Sequence, residues 1–159
     1  MTDENAAKLA SRARLELDEV EHVLERARDE WEEARRSNDD RYLDGVALNL
    51  HGFYSGIERI FSLIAETLDN SLPQGENWHV RLLEQMTRAV PNVRPAVISK
   101  SVCKQLDEYR GFRHIVRNVY TYHLDPLKLE KLVKASSGIF AQLAVELSAF
   151  IAFLENGDS

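Results

Sequence analysis

AAKLASRARLELDEVEHVLERARDEWEEARR, residues 6–36, decides the reading of the fold. Leu9, Ala13, Leu17, Val20, Leu24, Ala27, Trp31 and Ala34 recur in it at alternating steps of three and four. That spacing draws one apolar stripe down a helix, and the residues between are mostly Ala, Leu, Glu and Arg, which favour helix intrinsically. Ser37-Asn-Asp-Asp40 then reads as a short turn that also caps the next helix.

The same period continues downstream. Asp40 to Leu68 predicts a second long helix on Val46, Leu50, Phe53, Ile57, Ile60, Ile64 and Leu68, with Leu48, Tyr54, Phe61 and Leu63 widening its apolar surface. The stretch from Asp69 to Glu76, with a Pro and a Gly, breaks it. A short helix on Trp78, Leu82, Leu83 and Met86 ends before Pro91. A fourth is expected from Ser99 as N-cap to about Tyr122, with Val102, Leu106, Tyr109, Phe112, Val116, Val119 and Tyr120 on its core face. Asp125-Pro126, a capping residue before a proline, opens a fifth that runs through Leu129, Leu143 and Leu147 to Leu154. Nothing repeats at a solenoid period and no linker divides the chain, so residues 1–159 read as one all-α domain. Four long helices and one short, joined by short connections, predict an up-and-down antiparallel bundle.

Composition narrows the function. A single cysteine, Cys103, excludes an intramolecular disulfide and the Cys-based zinc patterns, and the five histidines lack ligand spacing. No metal and no cofactor is expected. The N-terminus lacks a signal-peptide layout, and no apolar run approaches the roughly 20 residues of a membrane span. The expectation is therefore a cytoplasmic protein with no membrane partner.

The net charge of −6 conceals an asymmetry. Residues 1–76 hold 9 Lys/Arg against 18 Asp/Glu, whereas residues 77–134 hold 11 against 5. Much of the basic excess gathers on the fourth helix, where Arg110, Arg113, His114 and Arg117 stand at i, i+3, i+4 and i+7, within roughly 60° of one another. Such a stripe either faces the acidic first helix, lies in solvent, or binds phosphate. Arginine forks suit phosphate oxygens, and a histidine nearby moves protons near neutral pH. Composition alone leaves these readings open.

Three segments together carry a resemblance. They are Tyr54-Ser-Gly-Ile-Glu-Arg-Ile-Phe61, the Trp78-His79-x-x-Leu82-Leu83 element, and Tyr109-Arg-Gly-Phe-Arg-His-Ile-Val-Arg-Asn-Val-Tyr120. In this order they resemble the HEPN superfamily, specifically HepT-like proteins. The resemblance implies a helical bundle that homodimerises and is paired with a minimal nucleotidyltransferase antitoxin. It also implies a metal-independent endoribonuclease with an Arg-x(4–6)-His signature. The matching residues here are Arg117 and His123, with the polar Asn118 after the arginine. By this analogy His123 assists proton transfer, Arg117 stabilises charge on the phosphate, and Arg110, Arg113 and His114 help to hold RNA.

The sequence also departs from the pattern. HepT toxins typically place four residues between Arg and His and a tyrosine two after the His, which the antitoxin can modify with AMP. Here the gap is five and the later position is Asp125, so no AMP-acceptor role is carried over to Tyr120 or Tyr122. The plain alternative for His123 is a helix C-cap. His51 and Asn49 read as satisfied buried polar groups. Glu58 reads as either a partner of the basic stripe or a surface carboxylate, and His79 as a packing or capping residue. An inactive HEPN module that binds nucleic acid or a partner protein is the second functional reading.

Overall fold

The stripe of residues 9–34 is buried as its period requires: Leu9, Ala13, Val20, Leu24, Ala27, Trp31 and Ala34 all lie in the core, with Leu17 packed against it. In a computed structural model of the chain, residues 2–118 and 124–157 are described, those from 113 to 118 by their backbone alone. Helix α1 spans Asp3–Ser37 and starts three residues earlier than the apolar pattern, because the Thr2 hydroxyl accepts a hydrogen bond from the Asn5 amide at 3.2 Å. Asn38 ends it in the left-handed region (φ 53°), and Asp39 accepts from the Arg41 amide at 3.0 Å to start the next helix.

Helix α2, Arg41–Ile64, packs antiparallel on α1 along the most extensive interface among the described residues and also touches the three helices that follow, α3 (Trp78–Gln85), α4 (Lys100–Asn118) and α5 (Pro126–Asn156). It is the central helix, as its broad apolar surface predicts, although Leu48 is 68% exposed and lies outside that surface. Close approach to α1 is set at Gly56, where an added Cβ would lie 2.5 Å from Val20 Cγ2. At Gly45 the atom in the way is only the flexible end of Glu30. Gly56→Ala is therefore expected to destabilise the chain by about 1–3 kcal/mol through overpacking, despite the ~1 kcal/mol helix preference of Ala over Gly. Gly45→Ala should be neutral or stabilising. Thermal unfolding of the two variants checks this, and a Gly56→Ala protein as stable as its parent would remove the steric argument.

The second helix does not run evenly to Leu68. Its last turn, Ala65–Asp69, is π-helical, and Asn70 closes it in the left-handed region (φ 51°). The wider turn carries Asp69 to a buried arginine from the next connection. Arg94 Nε and Nη2 each donate to Asp69 at 2.7 Å, Nη1 donates to the carbonyls of Arg88 and Pro95 at 2.9 Å, and Gln85 donates to the same carboxylate at 2.7 Å. Neither partner is exposed: side-chain exposure is 0% for Arg94 and 5% for Asp69. Burial alone would raise the Asp69 carboxyl, but the hydrogen bonds from Arg94 and Gln85 and the charge of Arg94 outweigh it and hold the group below its ordinary range. This knot organises a connection whose backbone also forms a β-bridge between Val90 and Arg94 and donates from Val97 and Ile98 back to the Met86 carbonyl.

Helix α3 is Trp78–Gln85, α4 is Lys100–Asn118 and α5 is Pro126–Asn156. The predicted caps are in place. Ser99 Oγ accepts from the Val102 amide at 3.1 Å, and Asp125 accepts from Leu127 at 3.0 Å with Pro126 in the first turn. The Ser99 amide also donates to Glu146 at 2.7 Å, which ties the start of α4 to α5. Burial works to raise the Glu146 carboxyl, but hydrogen bonds from Gln142 and Ser99 outweigh it and hold the group low.

Helix α5 is long and apolar enough to cross a membrane by length and composition, with a mean hydropathy of 1.7 over its best 18 residues. Small neutral residues such as Ser136, Gly138 and Ala141 replace charges there without forming an uninterrupted apolar run, which is why a search for runs passes over it. Its Leu129, Leu132, Leu143, Leu147, Phe150 and Leu154 are buried in the bundle.

Candidate functional site

Helix α4 carries most of the predicted site, and its own buried face fixes it. Val102, Leu106, Tyr109 and Phe112 are buried as predicted. Tyr109 packs edge-on against Phe53 of α2, with ring centroids 5.3 Å apart, and its hydroxyl donates to the Leu132 carbonyl of α5 at 2.6 Å. One side chain thus joins three helices, and burial pushes its phenol up from the ordinary tyrosine value. The helical backbone continues unbroken through Asn118, so positions 110, 113, 114 and 117 share one helical stretch.

Arg110 is the member of the basic stripe whose side chain is described. Its Nε donates to Asp107, one turn earlier, at 2.5 Å, and the side chain is 26% exposed. The hydrogen bond to Asp107 is the main cause that raises its pKa; burial opposes this, and the charges of Asp107 and Glu58 add to it. Arg110 therefore faces α2 and its own helix rather than open solvent alone. The side chains of Arg113, His114, Arg117 and Asn118, and His123 altogether, lie outside the described residues. The predicted core positions Val116, Val119 and Tyr120 lie outside them as well.

Beneath Arg110 sits a polar group that periodicity did not reveal. Tyr54 and Glu58 stand one turn apart on α2 and both are buried, at 1% and 6% exposure. The Glu58 carboxylate lies 2.6 Å from His79 Nδ1. An ionised carboxylate only accepts, so the histidine donates from Nδ1 in this contact. The His79 ring lies against Trp78, with centroids 3.6 Å apart and planes at 32°. Burial first, and then the negative charge of Glu58, drive the Tyr54 phenol far above its ordinary value, so it stays neutral. Cys103, half-buried on the facing side of α4, is raised by burial and by the charge of Asp107, so it is a poor thiolate source.

The sequence left Glu58 as either a stripe partner or a surface carboxylate; its burial rules out the surface. The available signal was its i+4 offset from Tyr54, inside the run of Ile57, Ile60 and Phe61 that faces the core. His79 pairs with Glu58 rather than acting as a cap. Asn49 donates to the Gly45 carbonyl at 3.0 Å, and His51 is half-buried with an interaction of its own, in keeping with satisfied polar groups. No cluster of His, Cys, Asp and Glu among the described residues forms a metal site.

Residues 45–154 match the family model described as HepT-like protein, a span from the first turns of α2 almost to the end of α5. No curated protein and no solved structure matches the chain. The matched span includes every residue from Tyr54 through Glu58, His79 and Arg110 to Arg117, Asn118 and His123. With a matching sequence over most of its length and an all-α bundle to carry it, the chain belongs to the HepT-like family.

Proposed function

We propose that this HepT-like chain is a HEPN-type toxin: a metal-independent endoribonuclease that acts as a homodimer in the cytoplasm and is restrained by a minimal nucleotidyltransferase antitoxin. The observation that carries the reading is the family match, whose span contains the whole segment from Arg110 to His123. RNA supplies its own nucleophile. The ribose 2′-hydroxyl loses a proton and attacks the adjacent phosphorus, the bond to the 5′-oxygen breaks, and that oxygen takes up a proton. His123 moves the proton, Arg117 and Asn118 steady the charge building on the phosphate oxygens, and Arg110, Arg113 and His114 hold the strand. No metal or cofactor takes part in this scheme.

The test is RNA cleavage by the purified chain in chelator, on structured and unstructured substrates. Cleavage is expected, together with its suppression when the antitoxin is added. A folded chain that cleaves nothing would shift the assignment to a second reading, an inactive HEPN module that binds nucleic acid or a partner protein. The five-residue gap between Arg117 and His123 and the aspartate at position 125 favour that alternative.

A further inference from the structure

We propose that the cleft between Trp78 and residues 72–75 is a binding pocket for an unpaired guanine base. Leu72, Pro73, Gln74 and Gly75 of the loop and Trp78 of α3 line it, together with Ser62 of α2 and Glu66 of the π-helical turn that follows. The cavity is about 300 Å³, at the small end of ligand sites and suited to a base rather than a larger molecule.

The walls are held in place before any ligand arrives. Consecutive helical side chains normally diverge by about 100°, yet the His79 ring lies against Trp78 at 3.6 Å. It is fixed there by the buried Glu58 carboxylate. The opposite wall turns at Gly75, whose φ of +96° suits glycine, and Arg81 donates to the Gln74 carbonyl. The Trp78 amide in turn donates to the Gly75 carbonyl at 3.3 Å. A buried carboxylate, a histidine and a loop-bracing arginine thus keep an indole ring beside an open cleft. A rigid aromatic face of this kind takes a base by stacking, independently of sequence.

Glu66 supplies the preference. Its carboxylate offers two acceptors and no donor. Guanine alone among the four RNA bases presents two adjacent donors, N1–H and the N2 amino group, on one edge. Adenine and cytosine each set one amino group beside an acceptor, and uracil has a single N–H. That the base comes from RNA rests on the ribonuclease reading above; the geometry of the pocket does not.

The chain has two tryptophans. Trp31 is buried with its Nε1 unpartnered, so Trp31→Phe removes an unsatisfied donor and leaves Trp78 as the sole tryptophan, excited at the red edge of its band where the five tyrosines do not absorb. In that background, guanosine 5′-monophosphate is expected to quench Trp78 fluorescence. Inosine, adenosine and uridine 5′-monophosphates should require about tenfold higher concentrations, the worth of one good base-edge contact. Glu66→Gln, an exposed change, should level guanosine with inosine while the circular dichroism melt stays unchanged. A single-stranded oligoribonucleotide containing one guanine should quench at lower concentration than the mononucleotide if a strand is the source of the base. Absence of quenching, equal quenching by all bases, or an unaltered preference in Glu66→Gln would overturn the pocket. Cleavage measured on the same preparations separates the two readings. Retained cleavage without guanine quenching defeats the pocket alone, and guanine quenching without cleavage defeats the ribonuclease alone.

Discussion

Replacing His123 by alanine is expected to lower chelator-resistant RNA cleavage about 10²–10⁴-fold, the range that one positioned acid–base group contributes. Arg117→Ala should cost about 10²–10³-fold, as does loss of a group aimed at developing oxyanion charge. Because both act on one transition state, the double variant should be little slower than the worse single one. Arg110→Ala should behave differently. It leaves the chemistry in place but weakens RNA binding and flattens its dependence on salt, since each phosphate contact adds about 0.7 to the slope on a single strand. Single-turnover cleavage and a salt titration of binding measure these effects, with melting curves to confirm folding. Full activity in both His123→Ala and Arg117→Ala would show that the chemistry lies elsewhere.

The largest stability effect is expected at Arg94. Arg94→Ala leaves the Asp69 carboxylate buried without its cation, and breaking a buried pair from one side costs about 3–5 kcal/mol. For a chain of this length that lowers Tm by roughly 10 °C. Removing both charges in Asp69→Asn/Arg94→Met should cost less than Arg94→Ala alone, because no unpaired charge remains. The pH dependence reverses with the arginine. In the native chain the folded carboxyl lies below its unfolded value of about 3.9. Its contribution is therefore present above that value and lost as pH falls through the lower folded one. In Arg94→Ala the burial that opposes this shift is left to dominate, and the folded carboxyl moves up. That variant then gains stability relative to the native chain as the medium is acidified from neutrality. Denaturant melts of both proteins between pH 4 and 7 test the sign, and a constant gap between them would contradict it.

Much of the fold is readable in the sequence because one periodic signal carries it. Burial of Leu9 through Ala34, the caps at Ser99 and Asp125, and the breaks around Pro73 and Pro91 arise from period and turn chemistry. The π-helical turn does not. Its residues, Ala65–Asp69, contain no glycine or proline, and the apolar spacing runs smoothly to Leu68. The extra residue is accommodated by a tertiary contact, the meeting of Asp69 with an arginine 25 positions later. Arg94 is hidden for the same reason, since an arginine among prolines reads as solvated loop. In the candidate site, the stripe from Arg110 to Arg117 is visible as spacing, but Glu58 and His79 are distant in sequence and meet only when α3 docks on α2. Short-range patterns register a carboxylate on an apolar helix as an irregularity and do not name its partner.

The tight seam between α1 and α2 has a consequence for the order in which the chain assembles. Among the described residues the largest interface joins two helices separated by a turn of three residues, so little chain entropy is lost in closing it. Contacts this local form early in folding, whereas α5 reaches α1 only when the two ends of the chain meet. Leu24→Ala and Leu50→Ala, in the seam, should mainly slow refolding, and Leu143→Ala and Leu147→Ala, on α5, should mainly speed unfolding. Stopped-flow kinetics in denaturant would show this division, and equal partition at all four positions would mean that the bundle closes in one step. On the ribosome, the first hairpin is then a finished template before the helix that carries the arginine stripe has been made.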